Sequence, residues 1–130
     1  MEDNYFFELQ KFMKKENIGD FPSQLINAWS NLVDICTAGY SDTIYEFDAE
    51  IMVRTSIEKI LNSEKLNSFT EFHEFRDQVK LIDEKFKEVF ILFNKEEGFT
   101  GNWWKRGYLK YGDDEYRVGL KEHFNIDIDS

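Results

Sequence analysis

Hydrophobic side chains recur along most of this chain at intervals of three and four residues, the repeat of an amphipathic helix. The clearest run begins after Ser68, which has the capping-box spacing to Glu71. Successive spacings of 3, 4, 3, 4, 3 and 4 join Phe72, Phe75, Val79, Ile82, Phe86, Val89 and Phe93. We therefore predict one helix from Ser68 to Phe93, about 35 Å long, as the centre of the core. A coiled-coil dimer seam is the alternative, but phenylalanine fits close two-stranded packing poorly, which favours internal burial.

Three helices are predicted before this one. Asp3 is the expected cap of the first, over residues 4–16. Pro22 lies near the start of the second helix, and Gly39 is a natural residue to end it. The third helix is predicted from Thr43 to about Leu61. Thr43 and Glu46 have the spacing of a capping box at its start.

The pattern changes after Asn94. Residues 95–112 are rich in turn residues and lack a helical period, which indicates irregular structure or a short strand. Asp113 or Asp114 can cap a last helix that runs to Phe124, and residues 125–129 alternate as in an extended tail. The fold expected is a mainly α single domain over residues 1–130. It is a bundle of about five helices with little or no β-structure near the C-terminus, a minor strand pair being the open alternative.

Charge narrows the possible partners. The 130 residues include 26 acidic and 16 basic side chains, for a formal net charge of −10. Nucleic acids and anionic lipids are polyanions that bind through Lys and Arg, so neither is expected as a direct ligand. A basic protein partner is favoured, although surplus carboxylates also serve simply to keep a protein soluble. The acidic N-terminus and the lack of an apolar run of roughly 18 residues predict a cytoplasmic protein without a membrane span.

The chain contains few of the residue combinations that enzymes use for catalysis. His73 and His123 are the two histidines, and neither lies in a recognised catalytic motif. The one cysteine, Cys36, lies in an apolar helical stripe and is expected in the core. Motifs for transition metals and for phosphate loops do not occur. We therefore expect no enzyme activity, no cofactor and no dedicated metal site, and we interpret Glu46 and Glu50 as a solvated like-charge pair on one helix face.

The strongest candidate for binding is an aromatic block followed by acids. Four aromatic residues fall within nine positions and three carboxylates follow at once: Trp103, Trp104, Tyr108, Tyr111, Asp113, Asp114 and Glu115. Aromatic anchors beside carboxylates suit a protein interface with a basic partner. Three acids of the third helix join this predicted partner-binding set: Glu46, Asp48 and Glu50. Two alternatives remain: tryptophans in a loop often pin the loop to the core, and acids in a first helical turn often compensate the helix dipole.

The same block carries a family resemblance. The segments GNWWKRGYLKYGDDEY, residues 101–116, and KEHFNIDI, residues 121–128, resemble members of the bacterial immunity proteins that neutralise contact-dependent growth inhibition toxins and other polymorphic toxins. Small size and marked acidity are similar too, and the resemblance covers roughly the last quarter of the chain. It implies a cytoplasmic protein that binds one cognate toxin, often a basic nuclease, and blocks its active site or a neighbouring surface. These immunity proteins share no universal binding motif, so no site residue is carried over.

Three other functions remain open. A helical adaptor or regulatory subunit of a larger assembly predicts an exposed apolar stripe and self-association. A small enzyme predicts a cleft in which acids and His123 meet, with a perturbed pKa. A DNA mimic would use the same negative surface against a DNA-binding protein.

Overall fold

The protein is mainly helical in a computed structural model that describes residues 4–129. The elements in chain order are α1 (Tyr5–Glu16), α2 (Pro22–Ala38), α3 (Ile44–Glu50), α4 (Met52–Leu61), α5 (Glu64–Asn67), α6 (Thr70–Lys87), β1 (Phe90–Leu92), a 3₁₀ turn (Trp103–Lys105), β2 (Gly107–Leu109) and α7 (Asp114–Phe124). The mainly α class is confirmed. Within residues 4–129, six helices of seven or more residues and the single-turn α5 replace the expected bundle of about five.

Helices α2 and α6 form the centre of the core. They pack along each other, and α4 packs against both. The fully buried ring of Trp29 on α2 lies 4.8 Å from that of Phe86 on α6. Around this centre, α1 packs on α5 and α7 packs on α3. The long apolar seam of α6 is therefore buried within the chain, as predicted.

Several predicted helix ends are confirmed. Pro22 begins α2, and Gly39 ends it with a φ of 113°, a conformation that favours glycine. The Thr43 hydroxyl accepts a hydrogen bond of 3.1 Å from the backbone N–H of Glu46 and so caps α3. At α1 the Asn4 side chain accepts from the backbone N–H of Phe7, at 2.8 Å. The predicted cap Asp3 lies outside the described residues.

The helix predicted from Thr43 to Leu61 is interrupted at Ile51, which separates α3 from α4. Its N–H still bonds to the carbonyl of Phe47, but its own carbonyl accepts from Arg54, three residues on. This tighter turn redirects the chain, so α3 faces α7 while α4 faces α2 and α6. The buried positions change accordingly, from Ile44 and Phe47 on α3 to Arg54, Ile57 and Ile60 on α4.

The helix predicted from Ser68 to Phe93 is shorter at both ends. Ser68 does not cap it: the Ser68 hydroxyl donates to the carbonyl of Lys65, at 2.7 Å, and α6 begins at Thr70. At the other end α6 stops at Lys87, and residues 90–92 form β1. Of the two residues of the apolar repeat beyond the helix, Val89 is buried and Phe93 is exposed. Strand alternation instead buries Phe90 and Leu92, with Phe90 stacked on Phe86 at 4.7 Å.

The strand pair near the C-terminus is antiparallel, with Phe90 opposite Leu109 and Leu92 opposite Gly107. The expectation of little or no sheet is thus replaced by its stated alternative, a minor strand pair. A side chain at Gly107 would place its Cβ 2.2 Å from the carbonyl oxygen of Ile91, so only glycine allows the strands to approach this closely.

A buried ion pair joins three helices. Arg54 on α4 donates two hydrogen bonds to the carboxylate of Asp83 on α6, at 2.9 and 2.8 Å, and a third to Glu58, at 2.8 Å. The indole N–H of Trp29 on α2 donates to the same Asp83 carboxylate, at 2.9 Å. Burial alone would lower the pKa of Arg54, but the hydrogen bonds and charges of Asp83 and Glu58 raise it. The pair holds α2, α4 and α6 in one arrangement.

We expect Asp83→Asn to lower the free energy of unfolding by about 3 kcal/mol, because it leaves the buried Arg54 guanidinium without its main counter-charge. Urea unfolding followed by circular dichroism measures the loss. Asp77→Asn is the matched control, since Asp77 is exposed and lies 3.5 Å from an exposed Arg76. We expect the control to change stability by less than about 0.5 kcal/mol. Equal losses in the two variants would show that the buried pair has no special role.

Candidate functional site

The two tryptophans of the predicted binding set are buried, which corrects the expectation that they lie on a surface. Trp103 is 5% exposed and Trp104 is 1% exposed. The Trp104 indole N–H donates to the hydroxyl of Thr55, at 2.9 Å, and the Arg54 guanidinium lies 4.5 Å from the Trp104 ring. Trp104 therefore pins the segment after β1 onto α4, and Trp103 packs on Phe86 of α6 at 5.9 Å and on Phe90 of β1 at 6.0 Å. Core anchoring is the alternative that the sequence left open.

The two tyrosines of that set are separated from the tryptophans. Tyr108 lies on β2, half-buried, with its ring 5.6 Å from that of Phe93. Tyr111 is exposed, and its backbone pairs with Asp129 in an isolated bridge. The aromatic block is thus not one surface.

The acidic residues of the set, by contrast, come from two sequence segments that the fold brings together. Helix α3 carries Glu46, Asp48 and Glu50, and it packs against α7, which follows Asp113 and begins with Asp114 and Glu115. All six side chains are exposed.

Two backbone features bring α3 and α7 close together. The Asp113 N–H donates to the carbonyl of Tyr40, at 2.7 Å, next to a bridge between Tyr40 and Gly112. A Cβ at Gly119 of α7 would lie 2.9 Å from Ile44 of α3, so glycine permits the close approach of the two helices.

Exposed aromatic side chains lie beside these acids. Tyr45 is 65% exposed, Phe93 is 47% exposed and Phe124 is 49% exposed. The Phe93 and Phe124 rings lie 5.0 Å apart, and the Tyr45 hydroxyl is hydrogen-bonded to Nε2 of His123, at 2.7 Å. We call this surface the α3–α7 face. We define it by Tyr45, Asp48, Phe93, Asp114, Glu115, Glu122, His123 and Phe124.

Sequence reasoning missed the aromatic part of this face. The apolar repeat placed Phe93 inside a long helix, whereas the chain has already left the helix at that residue. Tyr45 carried a weak signal, because it is a large aromatic side chain next to the buried Ile44 of α3. Phe124 carried none, because it continues the helical spacing of the buried Tyr116 and Leu120.

Two adjoining cavities mark the face. One, of about 350 Å³, is lined by Asp48, Phe93, Lys105 and Phe124 among others. The second, of about 360 Å³, is lined by Asp114, Glu115, Glu122 and neighbouring residues. Both are also lined by Ile44, Tyr45 and His123, so the two cavities adjoin along these three residues.

Acidic side chains outnumber basic ones on this surface, because Asp48, Asp114, Glu115 and Glu122 line the two cavities together with one lysine, Lys105. Desolvation raises the pKa of Asp48 although its side chain is partly exposed. No cation pairs with Asp48 within residues 4–129, and Asp114 has only a 3.6 Å contact with Arg117. A cation supplied by another molecule would stabilise the ionised form of such weakly paired carboxylates.

One group of carboxylates could hold a metal ion. Oxygen atoms of Asp42, Glu46 and Glu50 lie within 4.8 Å of one another. The sequence indicated Glu46 and Glu50 as a pair, but Asp42 precedes the capping residue of α3, so helical spacing does not include it. The hydroxyl of Tyr40 is buried, and burial, followed by the charge of Glu50, raises its pKa.

A different cavity, of about 470 Å³, lies between α1 and α5. Its polar rim includes Lys11, Lys14 and Lys15. None of the predicted binding residues lines it, and its charge is opposite to that of the α3–α7 face.

Comparisons with protein-family models, with curated proteins and with solved structures find no match to this chain. The resemblance to immunity proteins therefore remains a basis for a proposal. Among residues 4–129, no helix combines the length and the apolar character needed to cross a membrane.

Among the groups with catalytic potential, Cys36 is confirmed as a core residue. It is fully buried, and burial, followed by the charge of Glu50, raises the pKa of its thiol to about 12. His73 is exposed, and its Nε2 lies 3.2 Å from the carbonyl oxygen of Asn67. His123 is exposed beside Tyr45, near the end of α7.

We expect the Cys36 thiol to react with Ellman's reagent very slowly in the native protein. At pH 8 a thiol of pKa about 12 is ionised in roughly one molecule in 10⁴, and burial also blocks access. The absorbance of released thionitrobenzoate measures the rate, with the urea-unfolded protein as the positive control. Reaction at the rate of a free thiol before unfolding would contradict the buried placement.

Proposed function

We propose that this protein is an immunity protein that binds and neutralises a cognate bacterial toxin domain, a basic nuclease. The α3–α7 face would cover the active site of the toxin or a surface next to it. One observation carries the proposal: exposed aromatic rings and exposed carboxylates from separate parts of the chain line two adjoining cavities on one face of the protein. The resemblance of residues 101–116 to immunity proteins supports the same role.

The aromatic residues suit an interface core. Phe93 and Phe124 present adjacent rings, and a hydrogen bond to His123 orients the exposed Tyr45 ring. Ordered rings lose little conformational entropy when a partner covers them, and aromatic residues are enriched among the contacts that contribute most to protein binding.

The carboxylates suit a basic partner. Asp48, Asp114 and Glu115 line the two cavities of the face, and the whole chain has a net charge of −10. A nuclease active site binds phosphates with basic side chains, so carboxylates can occupy the same positions and accelerate the encounter. Inhibition of this kind needs no chemical step in the immunity protein.

The same cavity favours a second candidate, acid–base catalysis, through one specific observation. Asp48, with its raised pKa, and the hydrogen-bonded Tyr45 and His123 line one cavity. Binding is the better supported of the two, because these three side chains are all exposed to solvent, where a proton-transfer group gains little from its surroundings.

A direct test uses the protein as bait in lysate of its source organism, with mass spectrometry and calorimetry on any stoichiometric partner. We expect a basic toxin domain whose affinity falls with added salt. We expect Tyr45→Ala/Phe124→Ala to weaken binding at least 30-fold, equivalent to about 2 kcal/mol, because the variant removes two aromatic anchors. We expect Asp114→Asn/Glu115→Gln to slow association and to reduce its salt dependence.

Matched controls lie on other surfaces of the chain. Phe7→Ala removes a ring of α1 that is also exposed, and Glu84→Gln/Glu88→Gln removes two charges from α6. We expect both to bind as the wild type. Equal weakening by control and test variants would place the interface elsewhere. Recovery of this chain alone, or of a housekeeping complex, would instead favour the adaptor or regulatory subunit.

A further inference from the structure

The cavity between α1 and α5 has no part in the proposed toxin interface. Its volume of about 470 Å³ lies within the range of small-molecule sites, about 300–1,000 Å³. Its lining comes from one stripe of α1 and from the start of α5, and consists of Glu8, Lys11, Phe12, Lys14, Lys15, Ser63, Lys65 and Leu66. The cavity is therefore large enough for a ligand of its own.

The walls of this cavity are mainly apolar. The Phe12 ring is half-buried and Leu66 is fully buried. The Ser63 hydroxyl accepts a hydrogen bond of 3.3 Å from the backbone N–H of Leu66, so this oxygen already caps α5. Lysine side chains extend the apolar lining, because their methylene stems cover apolar surface while the ammonium group stays in water. A ligand in this cavity therefore buries an apolar body.

Positive charge surrounds this apolar space. Four lysines and one glutamate line the cavity, although the whole chain has a net charge of −10. Glu8 is buried and offsets the charge of Lys11, at 3.8 Å. Within residues 4–129, neither Lys14 nor Lys15 forms an ion pair. Both lie in the last turn of α1, where cations also compensate the helix dipole, but the dipole does not explain the apolar cavity beside them.

The length of the cavity limits the size of a ligand. Glu8 and Lys15 lie about 10 Å apart along the axis of α1, the length of an extended chain of about ten carbons. We propose that the cavity binds a medium-chain carboxylate, an unbranched fatty acid of this length. The chain packs on Phe12 and Leu66, and the carboxylate pairs with Lys14 and Lys15. An apolar body with one negative charge matches both properties of the cavity.

Two larger partners fit this place less well. The four residues of α5 make a wall about 6 Å long, whereas a helix that docks in a groove presents anchors over about 10 Å. An acidic helix from another protein is thus longer than the wall. An anionic membrane meets the field of the whole chain, whose net charge of −10 repels it. A small free carboxylate avoids both problems.

The experiment titrates the protein with sodium decanoate in a calorimeter, below the concentration at which decanoate forms micelles. We expect saturable 1:1 binding with a dissociation constant of about 1 mM or lower. Octanoate should bind at least about fourfold more weakly, because it buries two fewer methylenes. Decyltrimethylammonium, which has the same chain and the opposite charge, should bind at least about 10-fold more weakly at this cavity.

Heteronuclear NMR spectra of the wild-type protein locate the bound decanoate. We expect the amide signals of residues 8–15 and 63–66 to shift in proportion to saturation, and those of α3 and α7 to stay unchanged. The assay contains no toxin, and the cavity shares no residue with the α3–α7 face. Failure of decanoate binding and failure of toxin capture are thus separate results.

Two lysines test the assignment of the head group. We expect Lys14→Gln/Lys15→Gln to weaken decanoate binding at least about 10-fold, since the carboxylate loses both charged donors. The matched control is Lys80→Gln/Lys85→Gln, which removes two exposed lysines from α6 and should bind decanoate as the wild type. Circular dichroism verifies that each variant is folded.

Three results would overturn the proposal. The first is a lack of saturable decanoate binding up to about 10 mM. The second is an equal loss of affinity in the α6 control, or equal binding of decyltrimethylammonium at the same amides. The third comes from sedimentation with phosphatidylglycerol vesicles: binding to vesicles without binding to free decanoate would assign the lysines to a membrane surface.

Discussion

The arrangement of the whole chain depends on one buried charge, the guanidinium of Arg54. A cation at this depth is tolerated only when its hydrogen bonds are satisfied, and Asp83 and Glu58 satisfy three of them. Trp104 covers the guanidinium from another side at 4.5 Å. The Arg54–Asp83 ion pair therefore determines how α4 packs on α6. Through Trp104 it also determines where the segment after β1 packs against the helices.

This requirement explains why the tryptophans are not available to a partner and why the candidate site lies elsewhere. Trp103 and Trp104 are needed against Arg54 and Phe86. The turn at Ile51 separates α3 from α4. Helix α4 carries Arg54 of the buried ion pair, whereas α3 packs on α7. The exposed residues of α3 and α7 are consequently free to form a binding surface without weakening the core.

Local signals predicted a good part of the fold. The start and end of α2, the cap at Thr43, the last helix after Asp113 and the burial of Cys36 all followed from spacing and residue type. The failures concern residues whose positions depend on distant partners. Apolar spacing could not separate the end of α6 from β1, because Val89 and Phe93 continue the helical repeat, and the strand that pairs with residues 90–92 lies some 15 residues further on. The role of Arg54 depends on Asp83, 29 residues away, and neither residue has a local pattern that marks it.

The candidate site shows the same division. The acids of α3 and those before and within α7 could be listed from the sequence, but their proximity depends on tertiary packing. Phe93 was assigned to the core because the helix was extended too far. Asp42 was overlooked because it lies just outside a helix, where periodicity gives no guidance.

Helix α3 has only seven residues, too few to be stable without neighbours. Its order is supplied by α7 through Ile44 and Phe47, so the two helices should open and close as one cooperative unit. Backbone amides of α3 would then exchange with solvent deuterium together with those of α7, and more readily than those of α2 and α6. A molecule that binds across both helices would slow exchange over the entire unit, including amides that it never touches.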